Sequence, residues 1–458
     1  MEAVKLGKPP FVAAALRVRQ LIASLAQKHL AQSAILPPPL LSEPRAHNAE
    51  VERVVNSFAV QKATAVSLTD LYRFGLEPTA AQCVRNAQFL HHELPIRFAQ
   101  RVVDLKELPF GLSEHHLVQQ SIGHFEDTVQ KLASLKQPNV SEEEEDFACL
   151  IASVLLDHRQ VPMALACALR ELHKARRLSG DEQKLLDRRL DDFFMARISM
   201  RFLIEHYIAS HACHEGFSGV IASACNPFEI VQQASEDVGI LCRHQLGVCP
   251  EIEVIGDAWR TFRYVPSHLY FVACELLKNS VRAVVQNSEA SKAGTLGAAS
   301  AGGAGSDGAA LPPVRAILVC GGETDQFESV SIKIEDQGGG VRRSEMDDMW
   351  SYTYTTASYN FDQDMSFPNA TASLCQSGNM KSHMEDPIAG LGIGLPLSRL
   401  YARYFGGSLD LLSMEKYGMD AYLSLPHFGD DMEILPPPVA ASPSQFGSCS
   451  KGRNYQAQ

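Results

Sequence analysis

Three groups of residues in the C-terminal half have the side chains and the order of a nucleotide site. In the first group, Glu275, Asn279 and Arg282 are spaced at i, i+4 and i+7, so they share one face of a predicted helix. The Glu275 carboxylate can accept a hydroxyl proton during phosphoryl transfer, and the Asn279 oxygen suits Mg²⁺. Lys278 and Arg282 add positive charge for phosphates. Taken alone, this spacing is more typical of a solvated polar helix face.

The second group is an acid that ends an alternating strand and is followed by glycines. Asp336 can accept a hydrogen bond from the amino group of an adenine, while Gly338 and Gly340 let a ring approach the backbone closely. Aspartate and glycine are also common in ordinary turns, so this group alone favours a strand-ending turn.

The third group is a glycine loop that opens a second helix, with Pro396 near the first turn. Its residues are Gly390, Leu391, Gly392, Ile393, Gly394 and Leu395. Free N–H groups and the helix dipole at such a terminus bind phosphate. The loop does not follow a strand, which argues against a dinucleotide-binding Rossmann motif. Each group alone is weak, but the three together, in this order, predict an ATP site.

The composition is that of a globular chain with room for two domains. Of 458 residues, 45 % are hydrophobic and 21 % are charged. The net charge of -12 argues against nucleic acid as the main partner. No run approaches the roughly 20 apolar residues that cross a bilayer, so we expect no membrane span. The eleven cysteines include no CxxC pair, which indicates free thiols in a reducing compartment.

Four stretches differ from the rest in composition. Residues 1–42 are basic and Ala-rich, which suits a mitochondrial transit segment, although an ordinary basic helix of the mature domain has the same features. Residues 286–313 have the Gly, Ala and Ser content of a flexible linker. The polar stretch 358–389 has the length of a mobile lid, and the tail 436–458 is predicted to be disordered.

Hydrophobic periodicity divides the remaining chain into two domains. Apolar residues at three and four spacing predict an antiparallel four-helix bundle over residues 48–220. Strands and helices are mixed over residues 226–428, which predicts an α+β fold whose mixed sheet is covered by helices on one face. The predicted strands are 251–254, 259–265, 315–320, 330–335, 408–414 and 420–425, and the predicted helices are 228–245, one that begins near 267, and 396–405.

These residues resemble the GHKL ATP-binding fold, an α/β sandwich that histidine kinases and gyrase share. They resemble more closely the mitochondrial 2-oxoacid dehydrogenase kinases of the pyruvate and branched-chain types. The resemblance covers about residues 48 to 428. The matching stretches are His92–Ala99, Ala196–Leu203, Val265–Tyr270, Glu275–Ala283, Tyr352–Ala357 and Gly390–Gly407.

The resemblance implies a protein-serine kinase of the mitochondrial matrix that uses ATP and Mg²⁺, with K⁺ as a further candidate cation. Glu275 would be the general base, Asn279 the Mg²⁺ ligand and Asp336 the reader of adenine. Thr355 and Thr356 would line the nucleotide. The glycines Gly390, Gly392 and Gly394 would hold the phosphates under an ATP lid at residues 350–389.

The resemblance also implies the partners. The phosphoacceptor would be a serine on the decarboxylase subunit of a 2-oxoacid dehydrogenase complex, which phosphorylation inactivates. The helical domain would dock a lipoyl domain of the same complex, and the sheet would pair two subunits into a homodimer.

The sequence departs from the pyruvate-type pattern in three places. Phe271 stands where those kinases often have a histidine, no Trp follows Trp350 to form their C-terminal Asp-Trp pair, and the stretch 286–313 is extra. Glu205, His206 and His211, with residues 155–159, favour the branched-chain type. Two alternatives stay open: an ATP-gated lipoyl-domain-binding pseudokinase, and a histidine kinase with His206 as phosphoacceptor.

Overall fold

The computed structural model describes residues 17–18, 20–28, 49–76, 79–212, 215–296, 310–321, 329–354, 392–426 and 432–435. The predicted tail 436–458, most of the predicted lid 350–389 and most of the predicted transit segment 1–42 lie outside these ranges. Within this predicted transit segment, residues 20–28 form helix α1, which buries Ile22, Leu25 and Ala26 in the hydrophobic core. An ordinary helix of the domain would do the same, so the transit segment stays a prediction.

The N-terminal half is helical, as the periodicity predicts. Its further helices are α2 (Ala49–Ala59), α3 (Leu68–Leu76), α4 (Ala80–Lys106), α5 (His116–Ser134), α6 (Ser141–Asp157), α7 (Val161–Ala175) and α8 (Gly180–Ser210). Helix α4 packs against α2, α5, α6 and α8, so it is the centre of this half. Thr79 caps the start of α4, and Ser179 and Glu182 form a reciprocal capping box at the start of α8.

The C-terminal half contains two sheets. Strands β1 (Phe217–Ser218), β2 (Ile221–Cys225) and β4 (Phe262–Tyr264) form a small antiparallel sheet. Strand β4 is shorter than the predicted strand 259–265, β1 lies inside the range 48–220 that was predicted to be helical, and β2 had no prediction. The main sheet has the order β3-β5-β6-β8-β7. Its strands are β3 (Ile252–Ile255), β5 (Val314–Gly321), β6 (Ser329–Glu335), β7 (Ser408–Met414) and β8 (Gly418–Pro426). Because β3 and β5 are parallel and the other pairs are antiparallel, the mixed sheet and the α+β class are confirmed.

Alternation along the strands fixes which face of the main sheet is buried. In β6, Val330, Ile332 and Ile334 are buried, whereas Lys333 and Glu335 on the other face are half-exposed and form an ion pair. Three helices contact the sheet: α9 (Pro227–Leu246), α10 (Pro266–Leu296) and α11 (Gly394–Tyr404). None of the described helices has both the length and the apolar character that a membrane span requires.

Helix α10 is longer than its sequence indicates. It continues to Leu296, so residues 286–296 are helical and the linker predicted from residue 286 begins too early. The Ala, Glu, Ser and Lys residues of this stretch are compatible with a helix that has already nucleated.

A buried ion-pair network joins the C-terminal segment to the helical half. Arg97 of α4 pairs with Glu93 at 2.8 Å and with Glu433 at 2.6 Å, and all three side chains are buried. The Glu433 carboxylate also accepts hydrogen bonds from Ser199 of α8 at 2.7 Å and Tyr404 of α11 at 2.8 Å. Glu433 therefore connects elements from both halves of the chain.

Candidate functional site

The three groups predicted from the sequence line one open cavity between α10, the main sheet and the start of α11. Its empty volume is about 1080 Å³, including the solvent at its mouth. The predicted residues that line it are Glu275, Asn279, Arg282, Asp336, Gly338, Gly340, Gly392, Gly394 and Leu395. These residues come from three separate parts of the chain, 275–282, 336–340 and 392–395, so the fold brings them together.

Glu275 is the buried carboxylate of the cavity. It lies on α10, forms an ion pair with Lys278 one turn later, and its Oε2 atom lies against the backbone of Gly394. A Cβ added at Gly394 would be 2.1 Å from that oxygen. Lys278 is buried beside Glu275 and is not among the cavity-lining residues, so its ammonium group orients the carboxylate in this structure.

Asn279 and Arg282 give the α10 wall its polar character. The Asn279 side chain is exposed, as an amide that offers its oxygen to a bound cation must be. Arg282 is half-buried, and burial lowers the pKa of its guanidinium. Its Nε donates to Gln286 Oε1 at 3.4 Å, one turn further along the helix.

Asp336 lies at the back of the cavity, immediately after β6. Its Oδ1 atom accepts hydrogen bonds from the backbone N–H of Gly338 at 2.8 Å and of Met419 at 3.2 Å. Burial raises the pKa of Asp336, and these bonds together with one from Ser280 oppose the rise. The carboxylate is thus fixed in orientation and has acceptor capacity left for a ligand.

Glycines let the backbone close around the cavity. A Cβ at Gly338 would be 2.4 Å from the Cβ of Ala283 on α10. Gly340 and Gly392 have φ angles of +64° and +84°, which favour glycine. Ile393, by contrast, is buried in the core and does not line the cavity. Four predicted site residues lie outside the described ranges, namely Thr355, Thr356, Gly390 and Leu391.

Several lining residues had no prediction from the sequence. Ser280 is buried and hydrogen-bonds Asp336, and its place next to Asn279 on α10 is the signal that points to it. The others are Leu276, Ala283, Gln286, Val341, Met349, Tyr354, Leu411, Met419 and Ala421. Most of them are apolar side chains of the sheet and of α10, which suit the face of an adenine ring but have no distinctive spacing.

The segment that leads to Thr355 is held against the helical half. Tyr352 is buried, stacks on Phe194 of α8 with ring centroids 5.4 Å apart, and donates to Asp191 at 2.8 Å. Asp187 accepts hydrogen bonds from the Ser351 hydroxyl and the Tyr352 backbone N–H, both at 3.2 Å. Both Asp187 and Asp191 are half-buried, and burial raises the pKa of each. Helix α8 thereby holds residues 351–352, which lead to the cavity-lining Tyr354, in place.

Phe271 and His206, which the sequence analysis singled out, both pack against other residues of the fold. Phe271 packs on Tyr401 with centroids 4.9 Å apart, so it makes an aromatic contact where a histidine would offer a polar one. His206 is buried, its Nε2 lies 2.9 Å from Leu71 O, and burial lowers its pKa to about 4. This environment does not present His206 to a phosphate donor.

The comparisons with known proteins find similar proteins of one kind over most of the chain. Residues 65–242 match the family model described as mitochondrial branched-chain alpha-ketoacid dehydrogenase kinase. A relative from Arabidopsis thaliana named pyruvate dehydrogenase (acetyl-transferring) kinase, mitochondrial, is 36 % identical over 83 % of this chain and 95 % of its own length. The protein of that name from Schizosaccharomyces pombe is 30 % identical over 84 % of this chain and 98 % of its own.

A human relative, isozyme 4 of that kinase, is also 30 % identical, over 84 % of this chain and 87 % of its own. The mycobacterial sensor histidine kinase MprB overlaps 45 % of this chain with a TM-score of 0.28 and 14 % identity, which is too low to support an argument. The relatives, by contrast, span both the helical half and the cavity. The chain therefore belongs to the family of mitochondrial 2-oxoacid dehydrogenase kinases.

Proposed function

We propose that this protein transfers the γ-phosphate of ATP to a serine on the decarboxylase subunit of a mitochondrial 2-oxoacid dehydrogenase complex and thereby inactivates that complex. One observation carries the proposal: the cavity in which the carboxylate of Glu275 and the amide of Asn279 lie beside the glycine backbone at Gly392 and Gly394. A base, a cation ligand and a phosphate cradle are the parts that phosphoryl transfer to an alcohol requires.

Each residue has a task in this reaction. Glu275, oriented by Lys278, accepts the proton of the serine hydroxyl as the oxygen attacks phosphorus. Asp336 accepts a hydrogen bond from the adenine amino group and so selects the base. The exposed amide of Asn279 fits Mg²⁺ and would hold it; the ion neutralises phosphate charge when it is bound. Backbone N–H groups at the start of α11 bind phosphate oxygens.

The pyruvate dehydrogenase complex is the first substrate to test. The relatives described above are named pyruvate dehydrogenase kinases, and they match most of this chain. The family model named for the branched-chain kinase matches only residues 65–242. The branched-chain complex, which Glu205 and His206 favour, is the second. We further propose a mitochondrial matrix location, docking of a lipoyl domain on the helical half, a homodimer formed through the main sheet, and K⁺ as an additional cation.

A second candidate function is an ATP-gated lipoyl-domain-binding pseudokinase. Phe271 favours it, because an aromatic ring four residues before Glu275 cannot donate a hydrogen bond to the carboxylate as a histidine could. A histidine kinase is less compatible with the fold, because the buried His206 would have to leave its packed site to reach ATP.

The decisive experiment compares three proteins with radiolabelled ATP and the isolated pyruvate and branched-chain decarboxylase subunits. We expect wild type to form acid-stable phosphoserine on one subunit. Glu275→Gln should lower the rate by about 10²- to 10⁴-fold with ATP binding retained. Glu289→Gln makes the same charge change at an exposed site on the same helix, and should behave as wild type.

Each outcome selects one function. Phosphoserine that depends on Glu275 supports the kinase, and the labelled subunit names the complex. ATP binding without label on either subunit, unchanged by Glu275→Gln, would replace the kinase with the pseudokinase. Acid-labile phosphate on the protein itself would instead support a histidine kinase.

A further inference from the structure

Two thiols meet where α9 ends and the chain turns toward β3. Cys242 is buried in the last turns of α9, and Cys249 is half-buried in the turn that follows. Gly247 ends the helix with a φ of +75°, which turns the chain back past the helix terminus. The Cys242 thiol donates to the backbone carbonyl oxygen of Val248, the residue before Cys249, at 3.2 Å, so the two cysteines are neighbours in space. The Cys249 thiol donates to the carbonyl oxygen of Pro250 at 3.2 Å.

The two sulfur atoms differ in acidity and in access. The neighbouring Cys242 thiol lowers the pKa of Cys249 despite partial burial, and the charge of the exposed Arg243 lowers it further. The neighbouring Cys249 thiol, together with burial, raises the pKa of Cys242. Cys249 is therefore the more reactive and more accessible thiol, and Cys242 lies behind it. A redox-sensitive cysteine next to a resolving cysteine has this arrangement.

Cys149, Cys225, Cys274 and Cys320 lack this combination of access and lowered pKa. Burial raises the pKa of Cys149, Cys225 and Cys274, which lie in the core. Cys320 is half-buried, as Cys249 is, but its pKa is raised. Oxidation should thus select Cys249 over these thiols.

We propose that Cys249 and Cys242 form a reversible disulfide, a modification site separate from the nucleotide cavity, with oxidised glutathione or a similar small disulfide as the oxidant. The Cys249 thiolate attacks one sulfur of the oxidant, which breaks the S–S bond of the oxidant and releases one glutathione thiolate. Cys242 then loses its proton to solvent and attacks Cys249. The internal S–S bond forms and the second glutathione leaves, so two protein thiols are oxidised and one small disulfide is reduced to two thiols.

The test uses the full-length protein, treated with oxidised glutathione or with dithiothreitol and then alkylated before digestion. Trypsin and Glu-C together release residues 237–243 with Cys242 and residues 244–251 with Cys249 as two separate peptides, because Arg243 lies between the cysteines. We expect mass spectrometry to find these peptides joined in the oxidised sample and separate after dithiothreitol.

Two variants control the assignment. Cys249→Ser changes only a half-buried thiol and should abolish the joined peptide, while circular dichroism matches wild type. Cys320→Ser removes a thiol of similar exposure and should leave the joined peptide at the wild-type level. A stable glutathione adduct on Cys249 without the joined peptide, or joining to any other cysteine, overturns the proposal. So does the absence of any modification under conditions that oxidise a control dithiol protein.

Discussion

The carboxylate of Glu275 lies against the α-carbon of Gly394, at the point where α10 meets the start of α11. An added Cβ on Gly394 would be 2.1 Å from Glu275 Oε2 and 3.0 Å from its Cδ. Such separations are far inside van der Waals contact, so only glycine lets the carboxylate occupy this place. Because Gly394 has no side chain, the proposed base Glu275 is in direct contact with the backbone of the proposed phosphate loop.

This contact predicts the effect of Gly394→Ala. The methyl group must displace Glu275, and a displacement of about 1 Å in a catalytic group lowers turnover by about 10²-fold. Kinase rate and ATP affinity should be measured together, and we expect the rate to fall more than the affinity. Gly123→Ala is the control, because its added Cβ meets nothing within 4 Å. Wild-type turnover in Gly394→Ala would remove Glu275 from the role of base.

The fixed orientation of Asp336 predicts a change in base selectivity. Asp336→Asn keeps an oxygen for the N–H groups of Gly338 and Met419, but it turns an amide NH₂ toward the adenine amino group. We expect ATP affinity to fall by about 10-fold or more, the cost of losing a hydrogen bond to a charged acceptor. ITP, which has a carbonyl in place of the amino group, should lose much less. Equal losses for ATP and ITP would show that Asp336 does not read the base.

The contact between α8 and residues 351–352 predicts that a change in the helical half alters nucleotide binding. Asp187→Ala removes the acceptor for Ser351 and for the Tyr352 backbone, although Asp187 does not line the cavity. We expect ATP affinity, measured by calorimetry, to weaken by about 5- to 30-fold, which corresponds to 1–2 kcal/mol. Asp146→Ala, at an exposed site on α6, should leave it unchanged. If both variants bind ATP as wild type does, the contact is only structural.

The buried histidines predict how stability depends on pH. His268 is enclosed by the rings of Phe202, Tyr401 and Phe405, and burial lowers its pKa to about 3. Below about pH 6.5 the unfolded chain binds a proton at this histidine, whereas the folded protein does not. The free energy of unfolding is therefore highest above about pH 6.5 and decreases as the pH falls. His206 behaves in the same way, with its pKa lowered to about 4.

His268→Phe should flatten this dependence. Phenylalanine suits the aromatic surroundings and cannot be protonated, so the loss of unfolding free energy between pH 6 and pH 5 should shrink by about 1.2 kcal/mol. Chemical denaturation at the two pH values gives the measurement. His173→Gln, at an exposed position, should show the wild-type slope. An unchanged slope in His268→Phe would mean that His268 is already protonated in the folded protein.

Local patterns account for what the sequence predicted well. The alternation of Val330, Ile332 and Ile334 predicted a strand with one buried face, and the spacing of Glu275, Asn279 and Arg282 predicted the polar wall of the cavity. Both patterns depend on residues that are neighbours in one element, so periodicity alone reveals them.

Other features depend on distant residues or on weak composition signals. The pairing of Arg97 with Glu433 spans 336 positions, and no spacing rule links the two. The contact of Ser351 with Asp187 likewise joins two elements that are far apart in the chain. The end of α10 was predicted too early because Ala, Ser and Glu residues occur both in linkers and in helices, and only the preceding turns decide between them.

The pairing of Arg97 with Glu433 also bears on the order of events during synthesis. Helix α4 leaves the ribosome more than three hundred residues before the second carboxylate partner of Arg97 exists, and until then Arg97 can pair only with Glu93 on its own helix. The helical half thus reaches its final stability only when residues 432–435 arrive and close the network. A nascent chain that has not yet added Glu433 therefore lacks one carboxylate of this buried network.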